Sequence, residues 1–216
     1  MVKRKKGIMD QDKTNFYTPI RNPLLIVISG PSGIGKDAVV QELKKSEEST
    51  HFVITMTTRA PREDEVDGVD YFFVSCEEFE RLIAEGELME HARVYSDYKG
   101  IPKMQVREAL ASGKDVIMRL DVQGASTVRN LCPDAVLIFL TANSRDEWIE
   151  RLKARRSESP EALALRIQTA EAEFARLMEF DYIVINGEHA LDETISTIRS
   201  IITAEHQRVI PRKVTL

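Results

Sequence analysis

Residues 24–40 read Leu-Leu-Ile-Val-Ile-Ser-Gly-Pro-Ser-Gly-Ile-Gly-Lys-Asp-Ala-Val-Val. Three glycines and a lysine stand between an apolar, β-branched run and an apolar helical pattern, which is the strand, loop and helix of a P-loop. Gly30, Gly33 and Gly35, interleaved with Pro31, Ser32 and Ile34, omit side chains where backbone N–H groups must converge on phosphate oxygens. The helix that follows adds its positive dipole end at the same spot. Lys36 supplies a mobile cation for the outer phosphates of a nucleoside triphosphate. A hydroxyl residue usually comes next and ligates Mg²⁺, but Asp37 occupies that place. An ordinary βα turn could also carry three glycines; the spacing and the preceding strand favour the phosphate loop.

Two arginine clusters extend this chemistry. Thr57-Thr58-Arg59-Ala60-Pro61-Arg62 sets two guanidiniums in a proline-fixed turn beside hydroxyls, and an arginine fork matches a phosphate with two parallel hydrogen bonds. Arg151-Leu152-Lys153-Ala154-Arg155-Arg156 is the second cluster, and Arg166 lies on a further helix. Arg151 and Arg155 are four apart and share a helical face. Each cluster alone reads equally as a solvated surface, the second one paired with Glu147 and Glu150. Together around a P-loop they read as clamps on donor and acceptor phosphates.

The elements that must position these groups alternate between strand and helix. After the loop helix (Lys36 to about Ser46) come strands at Phe52–Ile54, Asp115–Asp121, Ala135–Leu140 and Tyr182–Ile185, then a helix over Leu191–Glu205 with apolar residues at 191, 195, 198, 201 and 202. That order predicts an α/β fold with a parallel sheet and flanking helices. Two segments depart from it. Residues 55–103, polar and turn-rich with the run Asp70–Ser75, predict a small, mainly antiparallel β lobe with a short helix at Glu77–Gly86. Residues 144–178, rich in arginine, predict a helical lobe. The core is then about 22–54, 104–143 and 179–208, with 1–21 a flexible lead-in.

Composition narrows the class. The chain has 216 residues, 43% hydrophobic and 30% charged, with a net charge of −5. This balance argues against general nucleic-acid binding, so arginines that hold polyanionic substrates must work against the overall sign. Apolar runs are of strand length and no membrane association is expected. The basic start Val2–Lys6 lacks an apolar segment and is no secretory signal. Cys76 and Cys132 have no metal spacing and read as reduced thiols, and the four histidines read as structural or surface residues.

The order of motifs resembles the guanylate kinase family from about Asn22 to Arg208. The match is carried by Thr57–Arg62, Glu65–Ser75, Glu78-Phe79, Asp121-Val122-Gln123-Gly124-Ala125 and Phe180–Asn186. Gly35–Val39, Tyr98–Lys103 and Arg119-Leu120-Asp121 place the resemblance in the plant plastid and mitochondrial branch. It implies a P-loop NTPase-type fold with a nucleoside-monophosphate lobe and a lid, and the reaction ATP + GMP ⇌ ADP + GDP with Mg²⁺. The loop from Gly30 to Asp37 would hold ATP, with Asn186 beside the adenine. Arg59, Arg62 and Tyr71 would hold the acceptor phosphate, and Arg151, Arg155 and Arg166 would close over the triphosphate. Glu90 would read guanine, with Thr55 near the base oxygen: one carboxylate accepts from N1–H and the exocyclic amine together, whereas adenine presents a lone pair at N1.

Four residues depart from the family pattern. Asp37 replaces the hydroxyl, and Arg119 replaces an acidic residue two before Asp121. The helix start and this strand end normally share the Mg²⁺ environment, so Asp37 and Arg119 are expected as neighbours, with Asp37 and Asp121 on the metal side. Lys99 and Ile101 replace a tyrosine and a hydroxyl residue; Lys99 can reach the acceptor site through charge, and base discrimination then leans on Glu90 and Thr55. Two other classes share parts of this pattern. A phosphopeptide-binding module of the same fold typically loses P-loop and lid residues that are present here, and a ribose bisphosphokinase would not need Glu65–Tyr71 and Glu90. Beyond nucleotides no partner is expected, and a monomer or weak homodimer is. The setting is the cytoplasm, or a plastid or mitochondrial matrix after removal of a transit peptide.

Overall fold

The computed structural model describes residues 21–45, 49–94, 96–153 and 160–216. The lead-in expected over 1–21 thus lies, save for Arg21, outside the described residues, and so does Arg155.

The central layer is a five-stranded parallel sheet in the order β2-β7-β1-β8-β9. Its strands are β1 (Leu25–Ser29), β2 (Thr50–Phe52), β7 (Asp115–Arg119), β8 (Val136–Thr141) and β9 (Tyr182–Ile185). All five residues of β1 are buried, because both faces of the sheet are covered. Leu24, Ile26 and Ile28 pack with Val39 and Leu43 of α1 (Lys36–Lys44) and with Ile195 and Ile198 of α7 (Leu191–His206). Leu25 and Val27 face the other way, toward Val106 and Ala109 of α3 (Lys103–Ala111) and Ala125 and Val128 of α4 (Val122–Leu131). This explains why the strand reads as a continuous apolar run, as parallel strands do.

The second layer is a four-stranded sheet, β4-β3-β6-β5, built from β3 (Thr55–Thr57), β4 (Tyr71–Phe73), β5 (Leu88–Val94) and β6 (Asp97–Pro102). Its small core joins Met56, Phe79 and Leu88, with Phe79 of α2 (Cys76–Ala84) stacked on Tyr98 at 5.1 Å. Ser75 caps α2 by accepting from the Glu78 amide, which starts the helix where the sequence places it. The sheet is mixed, since β3 pairs parallel with β4 and antiparallel with β6. The β2 strand also ends earlier than the expected Ile54. Gln105 takes over at that point, accepting from the Ile54 amide at 2.9 Å and donating to its carbonyl at 2.7 Å, and the chain crosses from one sheet to the other. Helices α5 (Arg145–Lys153) and α6 (Pro160–Phe174) lie within the segment expected to be helical.

The chain continues to be ordered past residue 208. Arg212 donates to both oxygens of the fully buried Glu205 at 2.8 and 2.9 Å and to the Ala135 carbonyl at 3.2 Å. Val214 and Leu216 pack against the α3–α4 core. Burial pushes the Glu205 carboxyl up, but the bonds from Arg212 and Tyr182 outweigh it and hold the group at about 2. Arg212→Ala leaves that buried carboxylate with only the longer 3.4 Å cation contact from Arg208, so a loss of about 3 kcal/mol, the lower end for a broken buried pair, is expected in denaturant unfolding. The loss at neutral pH should shrink as pH falls below about 4.5, where the unfolded chain begins to take up the proton.

Candidate active site

The loop 30–35 leaves the carboxyl end of β1 between β7 and β8, where open parallel sheets bind ligands. Its shape depends on glycine at two positions in particular. Gly30 has φ 140°, and a Cβ there would lie 2.4 Å from the Leu140 carbonyl oxygen; Gly35 has φ 95°, and a Cβ would lie 2.6 Å from the Asn186 amide nitrogen. Gly30→Ala is expected to cost at least about 1–3 kcal/mol in backbone strain alone. Thermal unfolding and a parallel ATP titration would read the lower stability and the lost binding together.

Three side chains brace the loop from behind. Trp148 of α5 donates its indole N–H to the Ser32 carbonyl at 2.8 Å. Asn186, buried after β9, donates to the Ile34 carbonyl at 2.7 Å and accepts from Thr194 at 3.0 Å. Arg151 donates to the Asn186 carbonyl at 2.7 Å and pairs with Glu147. Lys36 begins α1 with its ammonium turned back on the loop, 2.5 Å from the Gly30 carbonyl and 3.0 Å from that of Pro31. Arg166 lies half-buried on α6. Seven residues on, two helical turns, the buried Glu173 faces the Ser32 amide and Lys36. Burial pushes its carboxyl up, and one of its oxygens has no hydrogen-bond partner.

From Lys36 a pocket of about 240 Å³ runs to the second sheet, walled by Asp121, Arg119, Thr55, Tyr71, Lys99 and Glu90. Each wall comes from a different element. Asp121 caps α4 by accepting from the Gly124 amide at 2.7 Å. Glu90 projects from β5, and burial pushes its carboxyl up to about 7, with the Asp121 charge adding to the effect. The Lys99 ammonium stands 5.6 Å over the Tyr71 ring. Arg119 ends β7 and forms an ion pair with Asp37, so the two departures expected as neighbours do meet. Burial lowers the Arg119 guanidinium's affinity for its proton.

The remaining expected residues stand outside this pocket. Arg59 packs over Tyr71 at 4.8 Å and gives both guanidinium nitrogens to Glu65 at 2.5 and 2.6 Å. That bond, and one from the Arg62 amide, holds the Glu65 carboxyl at about 2. Arg62 itself is exposed. Ile101 is buried in the core beside Met89. The Asn186 side chain is engaged with the loop rather than open to a base. Trp148 and Glu173 carry parts of the site that motif spacing does not single out, and Glu65 opens the Glu65–Ser75 motif without a role assigned to it; the lone tryptophan, three residues before Arg151, was the available signal. Among the described residues no group of three metal-ligating side chains occurs, and no helix is long and apolar enough to cross a membrane.

A phosphate loop with its lysine facing a second, carboxylate-walled pocket defines a P-loop phosphotransferase with a separate acceptor site. Comparison with known proteins refines the class. The guanylate kinase family model matches residues 22–205. Guanylate kinase 2, chloroplastic/mitochondrial, of Oryza sativa subsp. japonica is 46% identical over 199 residues, 92% of this chain and 70% of its own. A guanylate kinase of Streptococcus thermophilus is 46% identical over 187 residues, covering 86% of this chain and 88% of its own. The crystal structure of guanylate kinase from Anaplasma phagocytophilum superposes with a TM-score of 0.66 at 28% identity, covering 88% of this chain and 90% of that one. The chain belongs to the guanylate kinase family.

Proposed function

We propose that this chain transfers the γ-phosphoryl group of ATP to the phosphate of GMP, and to that of dGMP, giving ADP and the diphosphate. The observation that carries the reading is the single pocket joining Lys36 of the phosphate loop to Glu90. In this reading the donor's outer phosphates lie at the lysine end and guanine at the carboxylate end.

The residues divide the work. Loop amides from Gly30 to Lys36 hold the β-phosphate, and Lys36 leaves its two carbonyl partners to follow the γ-phosphate. Trp148, Asn186 and Arg151 keep the loop in shape, while Arg155 and Arg166 belong to a lid over the triphosphate. Arg59, Arg62 and Tyr71 take the acceptor phosphate, with Lys99 adding charge; Arg59 must exchange Glu65 for it. Thr55 meets the base oxygen. Residues 55–103 act as the acceptor lobe and 144–178 as the lid. No strong base is needed, because the acceptor phosphate oxygen is already ionised and catalysis rests on alignment and charge.

The residues present suit Mg²⁺, which takes one or two carboxylates and completes its shell with water and substrate phosphates. Asp37 beside the loop and Asp121 at the α4 cap are those carboxylates. When bound, the ion neutralises charge on the donor phosphates. The setting is one that supplies ATP, Mg²⁺ and GMP, a bacterial cytoplasm or an organellar matrix. The protein works alone or as a weak homodimer, without nucleic acid or membrane.

ADP release with ATP and Mg²⁺ tests this against GMP, dGMP, AMP and ribose 1,5-bisphosphate in parallel. Fast turnover with GMP, weaker turnover with dGMP and none with the other two is expected. Preference for the sugar phosphate, or no turnover from folded protein, would contradict it.

A further inference from the structure

The geometry points to Arg119 as a catalytic residue for phosphoryl transfer, held in direction by Asp37. The inference rests on the GMP kinase reading and adds a group to it. Arg119 is the last residue of β7 and pairs in register with Ile28, two residues before the loop's first glycine. The next amide, of Leu120, donates to the Ile28 carbonyl at 3.2 Å. The strand end is thereby fixed beside the root of the phosphate loop, and the Arg119 side chain enters the pocket that also holds Lys36.

The ion pair with Asp37 has a direction as well as a charge. Asp37 follows Lys36 immediately, in the first turn of α1, so the carboxylate that holds the Arg119 guanidinium is anchored on the backbone next to the loop lysine. The two side chains are 41% and 74% exposed. Ion pairs that open contribute little to stability, so bracing the fold is a poor account of this one. Orientation is a better one, because a carboxylate with four acceptor sites can hold one edge of a guanidinium and leave the other edge free. Asp37 is in this sense a positioning residue.

The charges of the pocket make the same case. Glu90 and Asp121 bring two carboxyl groups to a space that must also accept an acceptor phosphate and a triphosphate. Arg59 is engaged with Glu65 outside the pocket. Lys36, Lys99 and Arg119 are the cations on its walls, and Arg119 is the one carried by the central sheet. In the transfer, a bond forms between the acceptor phosphate oxygen and the γ-phosphorus, and the bond to the β,γ-bridging oxygen breaks as ADP departs. No proton need move. The free edge of Arg119 donates hydrogen bonds to the equatorial oxygens of the group in flight, where negative charge is spread.

The test compares wild type, Arg119→Ala, Asp37→Ala and the double variant in steady-state kinetics with ATP and GMP, after thermal unfolding confirms folding. Arg119→Ala should lower kcat by roughly 10²–10³-fold, with both KM values within about threefold, and millimolar guanidinium should restore part of the rate. Asp37→Ala should lower kcat as well, through the pair and through the carboxylate it offers Mg²⁺, and the loss in the double variant should fall short of the sum of the two single losses, the non-additivity expected of a coupled pair. A kcat within threefold of wild type with no guanidinium response, a change in KM alone, or additive losses would overturn the inference. Should Arg119→Ala not fold, Arg119→Met, which keeps the apolar stem, is judged by the same criteria. Failure of the parent reading is distinct, since the wild type would then not turn over GMP at all.

Discussion

Lys36→Met should lower kcat for phosphoryl transfer by about 10³-fold while leaving the protein folded. Its ammonium contributes two bonds to loop carbonyls, of Gly30 and Pro31, and the loop keeps its other braces from Trp148 and Asn186. In the transition state the same ammonium would meet charge developing on the transferred group, an interaction that fixed cations in a water-excluded site supply at that scale. ATP affinity should fall much less than kcat, because the loop amides that hold the β-phosphate remain. Steady-state kinetics beside equilibrium ATP titration separates the two. A variant that binds ATP a thousandfold more weakly yet turns over normally would place Lys36 in ground-state binding instead.

Glu90→Gln has the second large effect, and it falls on the acceptor. A carboxylate accepts both guanine N–H groups, whereas glutamine offers one acceptor and turns a donor toward the other N–H. A fall of roughly 10²–10⁴-fold in kcat/KM for GMP is expected, the worth of two hydrogen bonds to a charged group. The raised Glu90 carboxyl, at about 7 in the free protein, also gives GMP binding a pH dependence. Only the ionised form accepts both bonds, so the affinity should be level above pH 7 and fall toward tenfold per unit below it. GMP's own phosphate titrates in this window. The Glu90→Gln profile keeps that contribution and loses the other, so the difference between the two curves, measured by calorimetry without ATP or metal, belongs to Glu90. A difference that is flat from pH 5.5 to 8 would contradict the assignment. The same shift bears on stability with the opposite sense. The folded group holds its proton where the unfolded one has lost it, so Glu90 lowers stability as pH rises from about 4.5 to 7 and not beyond.

The features legible in the sequence are those whose cause is local. Residues 24–40 contain the apolar strand, the glycines and the helix start, and the structure builds them as β1, the loop and α1. The pairing of Asp37 with Arg119 could be anticipated because two unusual charges of opposite sign fell at positions a parallel sheet brings together. What the sequence concealed depends on distant partners. The exchange at Ile54 needs Gln105, fifty-one residues on. The bracing of the loop needs Trp148, more than a hundred residues from Ser32. The C-terminal tail lies past the core expected over 179–208, and only the fold shows Arg212 meeting a buried Glu205. The parallel pairing of β3 with β4 was likewise hidden, since alternation along a strand does not encode the direction of its neighbour. Arg59 reads as a free phosphate ligand, and only the fold reveals that Glu65 holds it.

The measurement that bears most directly on the central claim is a single-turnover experiment with enzyme in excess of γ-labelled ATP, offered GMP or AMP in the presence of Mg²⁺. Label appearing in GDP, none in ADP formed from AMP, and almost none transferred by Lys36→Met is the result this account predicts. Label released only as inorganic phosphate, or passed equally to AMP, would contradict it.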